Sequence, residues 1–382
     1  MKFLITIFFI FIFNINYALS DNLYDALKIT FKNNKELNAE RENVNIAEQD
    51  LKISKGNYLP TGTITGSKSQ QDTKKLTNQG GSNAAINDVD PLNSTIKLEQ
   101  TLIDFGRNAE LKKSKLGLNL SKEKLKKTEQ EIFYKAIEAY SNLIASIEKV
   151  EINEKNLNLL IRQVENDKTR LDIGQITLSD LSQSESSLAG AEAKNIKAIN
   201  DLNTSKLNYE NIIGKINNLD NLNKSLNPIS PLPKSLNEAV ELSNNNNPDI
   251  TIAKIEYEQS EKDIKISKSE LAPTATLSIE RSNTEDFSST IDEKEQDTIT
   301  ATVTWPFFSG GKNLAKLNKN QSEKVRKRLL LDNTIKSSET KVASAWSNYQ
   351  SSESILKSIR AQVNAAEIAN EGITEEYQRG SR

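Results

Sequence analysis

The sequence predicts a mostly helical protein whose long, coiled-coil-like helices are joined to strands patterned like membrane β-structure. Three observations predict it. A helix–strand–strand–helix unit occurs twice along the chain. Between Arg107 and Leu171, a run of about 65 residues, only Gly117 interrupts an otherwise unbroken helical pattern. Each copy of the unit also carries short segments in which apolar and polar residues alternate with the period of a strand.

Composition narrows the function before any motif is read. The chain has 382 residues, room for two units of ordinary size. Lys plus Arg total 50 and Asp plus Glu 52, a balance that gives no support for nucleic-acid binding, which needs a basic face. Hydrophobic residues are 36% and charged residues 27%, which suits long solvated helices better than a thick core. Cys and His are both absent. That removes thiol nucleophiles, disulfides, zinc clusters and the commonest general base together. No Gly-rich phosphate loop or spaced carboxylate set is present, so an enzyme, a metal site and a cofactor site are not expected.

The domain organisation follows from the termini inward. Lys2, the apolar run Phe3–Phe13 and the small-x-small site Ala18-Leu19-Ser20 read as a signal peptide over residues 1–20. The run is too short to span a bilayer as a helix. Leu51-Lys-Ile-Ser-Lys-Gly-Asn-Tyr-Leu-Pro60 matches Ile264-Lys-Ile-Ser-Lys-Ser-Glu-Leu-Ala-Pro273 at an offset of 213. Leu23–Leu27 and Leu236–Val240 keep that offset, while Tyr140 and Trp346, and Gly174 and Gly380, are 206 apart. The first copy therefore carries a longer loop, placed at the polar stretch Lys74–Pro91. Residues 21–216 form the first repeat, the Asn/Ser/Pro-rich 217–235 a linker, and 236–382 the second repeat. Internal symmetry leads us to expect that the second repeat lacks its last helix, roughly 40 residues.

Within the first repeat, Asp21–Lys55 is predicted as one helix, with Leu23, Ala26, Leu27 and Thr30 on one face and Pro60 beyond its end. Strands are predicted at 61–70, 94–103, 274–281 and 298–305. Ile96, Leu98 and Leu102 face one way while Thr95, Lys97, Glu99 and Thr101 face the other; Ile299, Ala301, Val303 and Trp305 alternate with threonines in the same manner. The long helix after Arg107 spans on the order of 100 Å at about 1.5 Å per residue. Along it, Ala136, Tyr140, Leu143, Ile147, Val150, Glu154, Leu157, Ile161, Val164, Lys168 and Leu171 follow a 4,3 spacing, a coiled-coil seam. The charge-rich Lys112–Lys127 reads as a solvated helix face.

Strands of roughly 9–11 alternating residues suit a membrane β-barrel with lipid outside and water inside. One chain offers four strands, whereas such barrels need at least about eight, so insertion requires several protomers to share a barrel. The same periodicities also fit a non-channel periplasmic or surface coiled-coil rod capped by a small soluble sheet. Phe105, Trp305 and Phe307 at the strand ends suit an aromatic belt at the membrane interface, with core packing as the alternative role; Phe308 is assigned to packing.

The duplicated unit resembles the TolC family of outer-membrane efflux proteins. The resemblance is carried by Tyr58-Leu59-Pro60 and Leu271-Ala272-Pro273 leading into strands, and by Ile103-Asp104-Phe105-Gly106-Arg107 and Trp305-Pro-Phe-Phe-Ser-Gly-Gly311 leaving them. Arg170–Leu181 is similar to the family's helix-tip motif. The resemblance covers essentially all of Asp21–Arg382. It implies a homotrimer in which four strands per protomer complete a twelve-stranded barrel in outer-membrane lipid. It further implies a periplasmic helical tunnel that meets a periplasmic adaptor and an inner-membrane transporter and exports small molecules or proteins. Carried onto this sequence, the adaptor-docking tip falls on Gly174, Leu178, Asp180, Leu181 and Gly380. The gate of the periplasmic entrance falls on Asp180, Tyr377 and Arg382, an Asp–Arg pair with a Tyr hydroxyl forming a charge-assisted latch.

Overall fold

The computed structural model describes residues 22–378 apart from 76, 78, 84–87, 217–221, 223–231 and 289–290. The expected signal peptide, most of the expected linker and residues 379–382 lie outside the described residues. The described chain forms two compact units, one within Met1–Glu42 and Leu125–Pro231, the other within Asn43–Lys124 and Leu232–Arg382.

The single helix expected over 21–55 is two helices, α1 (Leu23–Asn33) and α2 (Lys35–Gly56). The break is Asn34, whose backbone leaves the helical region at φ −63° and ψ 125°. Its side-chain oxygen accepts from Leu37 N–H at 3.1 Å, so it caps the helix that follows. Strand β1 (Thr61–Lys68), strand β2 (Leu92–Ile103), helix α3 (Arg107–Asp172) and helix α4 (Leu178–Ile212) complete the first set. The second set is α5 (Leu236–Asn246), α6 (Pro248–Ser269), β3 (Thr274–Ser288), β4 (Ile291–Thr304) and α7 (Lys312–Gln378). Helix α3 is 66 residues long, and Gly117 does not interrupt it.

The first unit is held by the upper part of the predicted seam. Ala136, Tyr140 and Leu143 are fully buried, together with Ala26 of α1 and Tyr209 near the end of α4. The Tyr140 and Tyr209 rings lie 6.3 Å apart, within the range where tilted aromatic pairs attract. Further along α3 and α4, polar pairs take over: Ser146 with Ser205 at 2.8 Å, Lys149 to Asp201 at 2.9 Å, and Ser184 donating to Asp167 at 2.6 Å. The seam's two charged positions, Glu154 and Lys168, are exposed.

In the second unit the four strands form one antiparallel sheet in the order β1-β2-β3-β4. The second hairpin runs well past its predicted ends, to Ser288 and from Ile291. Apolar alternation stops near Arg281 and Asp297, but the backbone ladder continues through Glu285 and Glu293. Hydrogen bonding extends where side-chain patterning gives no signal. Below the sheet, α6 and α7 are joined by a row of polar contacts: Glu256 with Lys327, Glu261 with Lys324, Ser267 with Asn320, and Glu270 with Lys316. Among the described residues, no helix is long and apolar enough to cross a membrane.

Candidate functional site

The first candidate surface is one face of the sheet. Antiparallel pairing puts opposed residues on the same side. Leu98 opposes Ile279, which opposes Ile299; Ile64 opposes Ile96; Ala275 opposes Val303. Apart from half-buried Ala275 these residues are exposed rather than packed, with Ile64 at 83% and Ile299 at 73%. The opposite face carries Thr63, Lys97, Glu280 and Thr298 in one cross-strand row, and Thr101, Thr276 and Thr302 in another. A sheet with an open apolar face and a hydroxyl- and charge-bearing reverse is partitioned for lipid on one side and water on the other. At its outer limit the apolar face gives way to charge, where Arg281 pairs in register with Asp297 and reaches Glu295.

The inner limit is set by the strand–helix junctions, and here the resembling motifs acquire a physical reason. Asp104 accepts from the backbone N–H groups of Gly106 and Arg107 at 2.7 and 3.3 Å, capping α3. A Cβ on Gly106 would collide with the Ser269 hydroxyl, so glycine lets the turn approach the end of α6 without displacing that side chain. Arg107 donates back to the Thr101 carbonyl at 3.1 Å and stacks over the Tyr58 ring at 5.1 Å. In the second set Ser309 and Asn313 take up the junction, and Asn313 donates to the Glu270 carbonyl at 2.8 Å. Trp305 donates its indole N–H to the Leu271 carbonyl at 3.2 Å with the rest of its ring exposed. Phe105 and Phe307 are also exposed. Phe308, expected to pack where strand meets helix, is instead 80% exposed and precedes a turn in which Gly310 and Gly311 both take positive φ.

The second candidate surface is the turn between α3 and α4. Gly174 adopts φ +75°. Its N–H donates to Leu171 O at 2.8 Å and that of Gln175 to Arg170 O at 2.8 Å, the paired bonds of a Schellman ending. Three residues on, Thr177 and Asp180 form a reciprocal capping box: the Asp180 carboxylate accepts from Thr177 N–H at 2.9 Å and from its hydroxyl at 2.8 Å. The Thr177 backbone N–H and then its hydroxyl hold the Asp180 carboxyl below its ordinary value, with Arg170 adding a smaller attraction. Leu178 points to solvent at 69% exposure, whereas Leu181 is 8% exposed. Leu181 lies one turn before Ser184, which donates to Asp167 of α3, so its face turns toward the helix pair and it serves packing. Tyr377 falls in the last turn of α7; Gly380 and Arg382 lie outside the described residues. Sequence reading missed Thr177, the partner that holds Asp180, although a Thr three residues before an Asp at a helix start is a capping-box signal. Among the described residues, no His/Cys/Asp/Glu group is arranged to hold a metal ion.

Comparison with known proteins adds independent findings. The family described as "Outer membrane efflux protein" matches residues 26–215 and 239–382. The outer membrane efflux protein BepC of Brucella suis biovar 1 is 26% identical over 367 residues, covering 96% of this chain and 78% of BepC. The proteases secretion protein PrtF of Dickeya chrysanthemi is 20% identical over 318 residues, 81% of this chain and 69% of PrtF. Among solved structures, the outer membrane protein VceC of Vibrio cholerae superposes with a TM-score of 0.75 at 17% identity, covering 94% of this chain and 86% of VceC.

Proposed function

We propose, from the premise that this chain belongs to the outer membrane efflux protein family, that three copies build one channel-tunnel for export. Members of that family are outer-membrane channels and not enzymes, and the chain is an outer-membrane protein of that kind. The observation that carries the shared-barrel reading is the sheet: an exposed apolar face, a polar reverse, and edges at β1 and β4 that find no partner within the sheet. Unpaired backbone groups cannot face lipid, so the sheet must be closed. Four strands fall short of the roughly eight that a membrane barrel needs, so several copies must share one; the number three, giving twelve strands, is what the family resemblance implies.

In this reading the helices of three copies stand side by side as a periplasmic tunnel. Phe105, Trp305 and Phe307 form the aromatic belt at the periplasmic side of the membrane. The α3–α4 turn, with Gly174, Leu178, Asp180 and Leu181, and with Gly380 of the second repeat, docks a periplasmic adaptor. Leu178 supplies the exposed contact and Leu181 the support beneath it. Asp180, Tyr377 and Arg382 close the entrance, and an inner-membrane transporter supplies the energy. The cargo is a small molecule or a secreted protein; the name of BepC gives efflux and that of PrtF secretion of proteases. Single-channel conductance in a planar bilayer tests the channel. A small, stable conductance from the purified oligomer supports it; a folded oligomer without conductance favours a structural coiled-coil rod.

A further inference from the structure

The sheet's two free edges meet in a register that the internal repeat itself supplies. This inference rests on the trimer reading and names the residues that touch. Thr61–Lys68 reads Thr-Gly-Thr-Ile-Thr-Gly-Ser-Lys, and 213 positions on, Thr274–Arg281 reads Thr-Ala-Thr-Leu-Ser-Ile-Glu-Arg. Thr61 opposes Glu99 in the first hairpin and Thr274 opposes Thr304 in the second, so Glu99 and Thr304 are equivalent, 205 positions apart. The junctions keep this offset: Asp104 and Ser309, Gly106 and Gly311, and Asn108 and Asn313 all correspond.

At the centre of the sheet, the second strand of one repeat meets the first strand of the other. Leu98 opposes Ile279, Glu99 opposes Ser278 and Gln100 opposes Leu277. In a closed ring, the next junction of the same kind is β4 of one copy against β1 of its neighbour. Carrying each pair through the repeat, we propose that Val303 lies opposite Gly66 of the neighbouring copy, Thr304 opposite its Thr65, and Trp305 opposite its Ile64.

Two properties of the chain agree with this register. Side-chain parity is preserved. Val303, Trp305, Ile64 and Gly66 all belong to the apolar face, while Thr304 and Thr65 belong to the polar one. A slip of one residue would set Thr304 against Ile64 and mix the faces. Space is also available: a Cβ at Gly66 would meet nothing within 4 Å in its own chain, which leaves a notch beside the exposed Val303 of the next copy.

A slip of two residues preserves parity, so experiment must separate it. The chain contains no cysteine, so introduced pairs have no background. Directly opposed strand residues place Cβ atoms about 4.5–5.5 Å apart and positions two residues off about 7–8 Å. A disulfide needs about 3.5–4.5 Å, within small adjustment of the first and out of reach of the second. The full-length protein would be oxidised in outer-membrane preparations carrying Gly66→Cys with Val303→Cys, or Thr65→Cys with Thr304→Cys. Both are expected to give reducible dimer and trimer bands, several-fold above Ile64→Cys with Val303→Cys and Lys68→Cys with Val303→Cys. β1 and β4 are separated by two strands within one sheet, so such bands report contacts between copies. Bands from a shifted pair alone would overturn the register and leave the trimer standing. So would silence from every pair when native mass spectrometry shows a trimer. Absence of any oligomer in the unsubstituted protein would overturn the trimer reading, and the register with it.

Discussion

Asn34 and Asn247 are 213 positions apart and do the same work at equivalent points of the two repeats. Each leaves the helix with nearly the same backbone, φ −63° and ψ 125° against φ −70° and ψ 120°. Each donates its backbone N–H to the helix before it, to Thr30 O and Ser243 O, and caps the helix after it through its side-chain oxygen. Their side-chain amides then anchor to different elements, the Ile212 carbonyl for Asn34 and the Ser338 hydroxyl for Asn247. The duplicated asparagine thus fixes the bend, and the neighbouring helices fix what the bend is tied to.

Replacing either asparagine by alanine removes the cap and the anchor together. Loss of the cap alone costs about 1 kcal/mol, within a range of roughly 0.5–2. Each variant should unfold at a lower urea concentration than the parent in detergent. Asp, which keeps the accepting oxygen, should recover part of the loss.

The lipid-facing and water-facing sides of the sheet should respond oppositely to charge. Ile299→Arg places a cation on the apolar face, at about 2–4 kcal/mol if it sits near the bilayer midplane. Thr300→Arg places the same group on the other face. Heat-modifiable oligomer recovered from outer membranes should fall sharply for the first and little for the second. Equal loss in both would argue against the assignment of the two faces.

The tip variants should separate capping from gating. Asp180→Asn removes the charge on which an Asp–Arg latch depends while retaining an oxygen able to accept from Thr177. Thr177→Ala removes the hydroxyl that donates to the carboxylate and accepts from Asp180 N–H, while leaving the carboxylate and the backbone N–H that donates to it. Conductance should rise in the first, whereas the second should mainly speed hydrogen exchange at the start of α4. If only Thr177→Ala changes conductance, Asp180 acts through the cap and not as a gate.

Acid should loosen the α6–α7 contact in a defined direction. A hydrogen bond from Lys324 is the main cause holding the Glu261 carboxyl below its ordinary value, and burial opposes it. Because the folded value is depressed, this stabilisation is present above the unfolded value of about 4.3 and is lost as pH falls through the folded one. Lys324 is raised, chiefly by the same hydrogen bond, so its share is lost only as pH rises beyond the usual lysine value of about 10.4. Glu261→Gln should flatten the acid limb of urea midpoint against pH and leave the midpoint near pH 7 only slightly lowered.

Much of the molecule is written in local pattern. The 4,3 spacing from Ala136 to Leu171 determined a helix that ends within a residue of its predicted limit, because apolar periodicity and the positive φ at Gly174 are both local constraints. Alternation determined that four strands exist and which residues share a face. The chain also held a signal at Asn34 that only the repeat exposes: its partner Asn247 is followed by Pro248, a helix-start residue that Lys35 does not reveal. Tertiary structure decided the rest. Sheet order and the extension of β3 and β4 depend on which backbones meet, and charged residues such as Glu285 and Glu293 hide that pairing from any apolar count. Burial of Leu181 beside exposed Leu178, and the outward placement of Phe308, depend on the facing surface, which no residue's type encodes. Thr177 three residues before Asp180 is a capping-box signal carried by the sequence; that its N–H and its hydroxyl both engage the Asp180 carboxylate is seen in the structure.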